Sequence, residues 1–169
     1  MPRVWLSLGS NLERERNLRA AVATLRREYG PLILSPVYES QAVGFDGDPF
    51  LNLVIGFNTD RPPERLVGEL HGIEDAHGRV RGQARFGPRT LDIDLLLYGD
   101  LVRTQNGVRV PRDEITRYAF VLRPLSEVAG AQRHPVIGKT FRELWQEFDA
   151  AEQPLRPVGL ELDSENNNQ

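Results

Sequence analysis

The sequence is most informative in the stretch Arg85-Phe86-Gly87-Pro88-Arg89-Thr90-Leu91-Asp92-Ile93-Asp94-Leu95-Leu96. Its Gly87-Pro88 pair ends any preceding helix. Polar and apolar residues then alternate from Thr90 to Leu95, as they do in a half-buried strand. Residues i and i+2 of a strand share a face. The pattern therefore predicts that Asp92 and Asp94 point the same way, and that the leucines and the isoleucine between them turn to the core.

The two aspartates predict a metal site. Neighbouring carboxylates disfavour joint ionisation unless a cation lies between them, and Mg²⁺ is commonly held by one or two carboxylates together with substrate phosphates. The segment before them has no acidic residue and contains Arg79, Arg81, Arg85 and Arg89. Arginine binds phosphate in a bidentate manner, so the stretch fits metal-assisted chemistry on a polyphosphate. A solvated arginine run before a strand with two surface aspartates explains the bare pattern equally well.

Composition limits the class of protein. The chain has 169 residues, enough for one domain with a real core, and a net charge of −3. This acidic balance argues against nucleic-acid binding by bulk attraction. No apolar run is long enough for a bilayer, no signal peptide pattern opens the chain, and cysteine is absent. We therefore expect a cytoplasmic protein that does not bind a membrane or nucleic acid.

The order of elements predicts the fold. Alternation and apolar stripes indicate strand–helix–strand–strand–helix–strand over residues 4–96, which is the ferredoxin-like βαββαβ pattern of an α+β protein. We expect an antiparallel sheet with the helices on one face, followed by a hairpin at Asn106-Gly107 and short closing helices. Residues 1–150 are expected to form one domain, and residues 151–169 a flexible tail.

Helix starts are also predicted. Ser10 or Asn11 is the expected N-cap of the first helix, which follows a strand ending near Gly9. Thr59-Asp60 is the expected cap of the second helix, with proline in its first turn. Both predictions rest on the preference of short polar side chains for helix N-termini.

The longer string resembles the signature of the 6-hydroxymethyl-7,8-dihydropterin pyrophosphokinases of folate biosynthesis. That signature is Gly-Pro-Arg, two residues, then Asp, an aliphatic, Asp and two aliphatics, and residues 87–96 match it throughout. The resemblance extends over residues 3–148 and includes Gly9-Ser10-Asn11-Leu12, Phe50-Leu51-Asn52, Ile73-Glu74, Gly78-Arg79-Val80-Arg81 and Pro124-Leu125. Departures are Arg112 in place of a histidine, Tyr118 in place of an arginine, and Gln41-Ala42 in place of two prolines.

The resemblance implies pyrophosphoryl transfer from ATP to the hydroxymethyl group of the dihydropterin, with AMP released. It implies two Mg²⁺ ions at Asp92 and Asp94, and charge stabilisation by Arg79 and Arg89. The implied nucleotide-binding residues are Glu74, Arg81, Arg85, Arg89, Arg112 and His71. The implied pterin-binding residues are Asn52, Phe50, Phe120, Val43 and Ser40. The partners would be small molecules, and we expect a monomer.

Two other classes remain open from the sequence. A sheet-surface RNA-binding module shares the fold class, but it would need exposed aromatic residues on central strands and a basic face. A metal-dependent nuclease or nucleotidyl transferase would use the same carboxylate pair. Asn52 with its flanking aromatic residue separates this class from a pterin enzyme, since a nuclease needs no slot for a heterocycle.

Overall fold

The computed structural model describes residues 1–41, 47–77 and 91–162, and all structural statements below concern these residues. The strands are β1 Arg3–Ser10, β2 Ile33–Leu34, β3 Val37–Ser40, β4 Phe50–Asn58, β5 Asp92–Tyr98, β6 Arg103–Gln105, β7 Val108–Val110 and β8 Arg156–Val158. The helices are α1 Arg14–Tyr29, α2 Pro63–Ala76, α3 Glu114–Arg117, α4 Ala119–Val128 and α5 Phe141–Glu147.

One sheet organises the molecule. Its strand order is β5-β1-β4-β3-β8, with β2 also paired to β4. All of these pairings are antiparallel. The first four strands of the order are those of the βαββαβ unit, so the predicted ferredoxin-like fold is confirmed. The Asn106-Gly107 hairpin is confirmed as well, because both residues have positive φ and join β6 to β7.

Helices cover both faces of the sheet: α1 and α2, the helices of the βαββαβ unit, share one face as predicted, and the short closing helices cover the other. Leu6 of β1 lies in a core cluster with apolar residues of α1 and α2. Its neighbour Trp5 lies in a second cluster with residues of α3, α4 and α5. Successive strand residues point to opposite faces, so β1 is buried on both sides. The short C-terminal helices, whose packing the sequence did not specify, supply the second layer.

The predicted helix caps were wrong. Helix α1 begins at Arg14 and its N-cap is Glu13, with φ 45° and no side-chain cap hydrogen bond. Strand β1 runs to Ser10, so Ser10 and Asn11 instead shape the turn. Ser10 Oγ donates to the Leu12 carbonyl. Helix α2 begins at Pro63 after Pro62, and the Thr59 hydroxyl accepts the Arg61 N–H within the preceding turn.

The segment after residue 150 contains a strand where the sequence predicted a flexible tail. Strand β8 pairs with β3, with Val158 opposite Val37. Leu162 is buried in the first core cluster. The sequence signal was weak because β8 is only three residues long and contains Pro157. No helix in the described ranges has the length and apolar character of a membrane span.

Candidate active site

Strand β5 presents the two predicted metal ligands together. Asp92 and Asp94 are both half-buried. The residues that alternate with them, Leu91, Ile93 and Leu95, are buried in the first core cluster. The aspartates therefore share the opposite face of the sheet, as the alternation predicts. Neither carboxylate belongs to a hydrophobic core cluster, so both can reach a ligand.

Strand register aligns the aspartates with the predicted pterin residues. Gly9 of β1 is opposite Asp92 on one side and Asn52 of β4 on the other. Asn52 is in turn opposite Tyr38 of β3. Directly paired residues point to the same face, so these four residues form one row across four strands. In order, the row presents a carboxylate (Asp92), a position without a side chain (Gly9), an amide (Asn52) and a phenol (Tyr38). Two strand spacings separate Asp92 from Asn52, which is roughly 10 Å.

Gly9 leaves the middle of this row open. A Cβ atom at this position would lie 3.2 Å from Asn52 Oδ1 and 3.6 Å from Phe50 Cδ1. The bare backbone therefore lets the Asn52 amide and the Phe50 ring approach β1 closely. Sequence reasoning treated Gly9 mainly as part of a turn, and only the register shows that it separates the carboxylate from the amide.

The Asn52 side chain is fixed by its neighbours. It is buried, and its Nδ2 donates to Ser40 Oγ at 2.7 Å and to the Tyr38 carbonyl at 3.4 Å. Ser40 is opposite Phe50 in the β3–β4 register. Ser40, Phe50 and Asn52 thus form one cluster. Both Nδ2 hydrogens are used in these bonds, so the amide offers its Oδ1 as a fixed acceptor to a heterocycle.

Helix α4 brings Phe120 to the same side of the sheet. The Phe120 ring is half-buried against the second core cluster, and it stacks on Tyr118 with ring centroids 5.0 Å apart. Helix α4 is held against β3 by Tyr38, whose hydroxyl donates to Glu127 Oε1 at 2.7 Å. Arg123 lies over the Tyr38 ring, 4.6 Å from its centroid. The Tyr38–Glu127 anchor was not predicted, because it joins residues far apart in sequence.

Glu74 of α2 has a buried side chain. It is only 1% exposed. Its Oε2 accepts the backbone N–H of Ile93 at 2.7 Å. Because Ile93 lies between the two aspartates, this bond ties α2 to the part of β5 that carries them. Glu74, which the resemblance assigns to the nucleotide, therefore supports the strand that carries the carboxylate pair.

Arg112 joins the carboxylate pair at the outer side of β5. Its Nη2 lies 3.5 Å from Asp94 Oδ1 and 2.6 Å from Glu114 Oε2. Burial acts to lower the pKa of Arg112, but Asp94 and Glu114 outweigh it and raise the pKa. Arg112 therefore stays charged. Its Nε is buried without a hydrogen-bond partner.

A shallow groove contains Arg112 and the exposed His71. It runs between α2, β5 and the β6–β7 hairpin, and it is lined by Val67, Leu70, His71, Ile93, Asp94, Leu95, Gly107, Arg109 and Arg112. His71 and Arg112, both predicted to bind the nucleotide, thus line the same groove as Asp94, a predicted metal ligand. A lining that combines apolar side chains with two arginines suits a ligand with a flat base and an anionic end.

The donor set fits magnesium better than a metal that needs a full protein cage. In residues 1–41, 47–77 and 91–162, no group of three His, Cys, Asp or Glu side chains converges on one point. Asp92 and Asp94 would supply hard oxygen ligands, and Mg²⁺ accepts one or two carboxylates with water and phosphate completing its shell. The predicted residues Val43, Arg79, Arg81, Arg85 and Arg89 lie outside the described ranges.

Comparison with known proteins identifies the family. The profile of the 7,8-dihydro-6-hydroxymethylpterin-pyrophosphokinase (HPPK) family matches residues 5–130. The chain is 39% identical to the 2-amino-4-hydroxy-6-hydroxymethyldihydropteridine pyrophosphokinase of Pseudomonas aeruginosa over 137 residues, covering 79% of this chain and 84% of that protein. It is 36% identical to the Synechocystis enzyme of the same name, covering 86% and 75% of the two chains.

Solved structures support the same fold. A crystal structure of an HPPK-DHPS in complex with substrates superposes with a TM-score of 0.67 at 12% identity, over 86% of this chain and 43% of that one. The Plasmodium falciparum HPPK-DHPS gives a TM-score of 0.66 at 15% identity, over 86% and 41%. The chain thus spans less than half of these solved chains. It belongs to the HPPK family, a family of pyrophosphokinases, and the predicted family is confirmed.

Proposed function

We propose that this protein transfers a pyrophosphoryl group from ATP to the hydroxymethyl group of 6-hydroxymethyl-7,8-dihydropterin, a step of folate biosynthesis. Membership of the HPPK family supports the reaction and the use of ATP. The observation that carries the proposal is the row Asp92–Gly9–Asn52 across three strands. It sets a carboxylate pair for phosphate chemistry beside a fixed amide for a heterocycle.

The pterin is proposed to bind at Ser40, Phe50, Asn52 and Phe120, with Val43 added by resemblance. Asn52 is held by Ser40 and the Tyr38 carbonyl, so its Oδ1 can accept a hydrogen bond from the ring without losing rotamer freedom on binding. Phe50 and Phe120 offer apolar surface on either side of that amide. Gly9 provides the space between this slot and the carboxylates.

The triphosphate is proposed to bind between the carboxylates and the arginines. Two Mg²⁺ ions at Asp92 and Asp94 would neutralise phosphate oxygens and lower the pKa of the attacking hydroxyl. Arg112 is close to Asp94 and would bind phosphate, and His71 would line the nucleotide groove. Glu74 would hold β5 in place. By resemblance, Arg79 and Arg89 stabilise charge on the transferred group, and Arg81 and Arg85 bind the nucleotide.

The proposed reaction is an in-line displacement. The pterin hydroxyl oxygen forms a bond to the β-phosphorus, and the bond from that phosphorus to the α–β bridging oxygen breaks. AMP leaves with the bridging oxygen, and the hydroxyl proton goes to solvent. The protein's part is to hold the hydroxymethyl group and the β-phosphate in line and to hold arginines at the developing charge.

The RNA-binding alternative is disfavoured by the fold. Such a module needs an open sheet face with exposed aromatic residues. Here α1 and α2 cover one face, and α3, α4 and α5 pack on the other. The two described aromatic residues of interest, Phe50 and Phe120, are half-buried. The cluster of Ser40, Phe50 and Asn52 does not favour the nuclease alternative, because a nuclease needs no slot for a heterocycle.

The test is release of AMP from Mg-ATP with and without 6-hydroxymethyl-7,8-dihydropterin. We expect AMP, and not ADP, to form only when the pterin is present. AMP formation that ignores the pterin, from a folded protein, would contradict the proposal and point to another acceptor. A cytoplasmic location and a monomeric state belong to the same proposal, and cell fractionation and gel filtration test them.

A further inference from the structure

Arg14 joins the two ends of the connection between β3 and β4. Its Nη1 donates to Glu39 Oε2 at 2.7 Å and to the Pro49 carbonyl at 3.1 Å. Glu39 is the penultimate residue of β3, and Pro49 immediately precedes β4. One guanidinium therefore bridges the chain before and after the connection, at the point where β3–β4 pairing ends with Ser40 opposite Phe50.

Glu39 is fixed on its other side by the C-terminal strand. Arg156 of β8 contacts Glu39 Oε1 through Nε at 3.2 Å and through Nη2 at 3.1 Å. The hydrogen bond from Arg14, together with those from Arg156, lowers the pKa of Glu39 in spite of partial burial. Glu39 is thus an ionised acceptor at neutral pH, and a carboxylate shared by two arginines holds both more firmly than an isolated pair would.

The turn before α1 supports Arg14. Asn11 is buried, and its Nδ2 donates to the Asp48 carbonyl at 3.1 Å. Asn17 Nδ2 donates to the Leu12 carbonyl at 2.7 Å. The turn is therefore hydrogen-bonded both to the chain just before β4 and to the helix that follows the turn. Arg14, the first residue of that helix, reaches Glu39 and Pro49 from a rigid base.

We propose that Arg14 is a positioning residue for the pterin slot. Arg14 bonds to Glu39 and Pro49, which directly precede Ser40 and Phe50, and it thereby fixes the backbone that enters the slot. Because Phe50 follows Pro49 directly, movement of Pro49 would displace the Phe50 ring and loosen the pairing that orients Ser40 toward Asn52. Arg14 therefore acts on pterin affinity and leaves the nucleotide groove, which lies on the far side of β1, unaffected. This inference rests on the proposed function.

The test compares Arg14→Gln, Arg14→Lys and the wild-type protein in separate titrations of pterin and nucleotide. We expect Arg14→Gln to raise the Kd of 6-hydroxymethylpterin about tenfold, and the Kd of Mg-ATP to change by less than about twofold. Arg14→Lys, which can keep one of the two bonds, should fall between the wild type and Arg14→Gln.

The matched control is Arg16→Gln on the same helix. Arg16 is exposed and pairs with Glu13, so its removal should change neither Kd. Thermal unfolding is measured for every variant, so that a general loss of structure is recognised. Parallel weakening of pterin and nucleotide binding, or an unchanged pterin Kd in Arg14→Gln, would overturn the inference. Failure of the proposed function would look different, because the wild type and Arg16→Gln would then not bind the pterin.

Discussion

Arg112 Nη2 and Asp94 Oδ1 lie 3.5 Å apart, so a side chain expected to bind phosphate already faces a carboxylate expected to bind metal. Arg112 is held in this position by the shorter bond to Glu114. If Asp94 binds metal as proposed, the guanidinium would compete with a divalent cation for Asp94 in the absence of nucleotide. A bound triphosphate would accept hydrogen bonds from the guanidinium and free Asp94 for the metal.

Replacing Arg112 by Gln should therefore strengthen metal binding to the nucleotide-free protein. We expect Mn²⁺ affinity, measured by electron paramagnetic resonance, to rise about threefold to fivefold, as for loss of a partly exposed ion pair. Mg-ATP affinity should fall in the same variant. Arg109→Gln, which changes an exposed arginine of the same groove, is the control. An unchanged or lower Mn²⁺ affinity in Arg112→Gln would contradict the competition.

Asp94→Asn should abolish turnover without unfolding the protein. The neutral amide is a poor ligand for Mg²⁺, and metal ions supply several kcal/mol of stabilisation in such reactions, so AMP formation should fall at least about a thousandfold. Asp94 is half-buried and lies outside the core, so the unfolding temperature should change little. Asp100→Asn, in the exposed turn after β5, serves as control. Near-normal AMP formation in Asp94→Asn would disprove the metal assignment.

Gly56 and Gly68 should respond to alanine in opposite directions. A Cβ atom at Gly56 would lie 2.4 Å from Trp5 Cζ3, so Gly56→Ala should destabilise the protein by about 1–3 kcal/mol through overpacking. Gly68 lies in α2 with nothing within 4 Å of its Cβ position, so Gly68→Ala should stabilise it by about 0.5–1 kcal/mol. Urea unfolding measures both. If Gly56→Ala stabilised the protein, the overpacking argument would be wrong, because the Trp5 ring would have shifted at little cost in free energy.

Tyr38 should make stability depend on alkaline pH. Burial and the bond to Glu127 raise its pKa from 10.0 to about 12. A pKa raised in the folded state contributes stability below pH 10, and this contribution is lost as the pH rises toward 12. Tyr38→Phe should cost about 1 kcal/mol at pH 7, from the lost hydrogen bond.

The same variant should lose less stability than the wild type between pH 10 and 12. Denaturant unfolding at several pH values measures the difference. Equal pH dependence in the two proteins would show that Tyr38 is not the titrating group. The pKa of Tyr29 is also raised by burial, and this residue is common to both proteins.

The site could be predicted where one short segment carries the signal. The alternation around Asp92 and Asp94 gave both the strand and its orientation, because side-chain direction in a strand depends only on sequence spacing. The same holds for Asn106-Gly107, whose turn type is a local property. The family resemblance added Asn52 and Ser40, which the structure brings into contact.

The remaining features depend on contacts between distant segments. Sequence reasoning did not find the anchor of Tyr38 to Glu127, 89 residues away, or the bond from Glu74 to the Ile93 backbone. Gly9 carries no side chain and so gives no signal of its own role between the carboxylate and the amide. The cap predictions failed for a related reason. Ser10 is the last residue of β1, and Asn11 donates to the Asp48 carbonyl and does not cap the helix.

Strand β8 has a consequence for self-association. Exposed strand edges invite pairing with another chain. The outermost strand here contains Pro157, opposite Tyr38, and proline has no N–H to offer an incoming strand. At the opposite side, the Leu96 carbonyl of β5 already accepts the N–H of Arg112. In the part of the chain that the structure describes, these two features reduce the number of edge groups with which a second copy could pair.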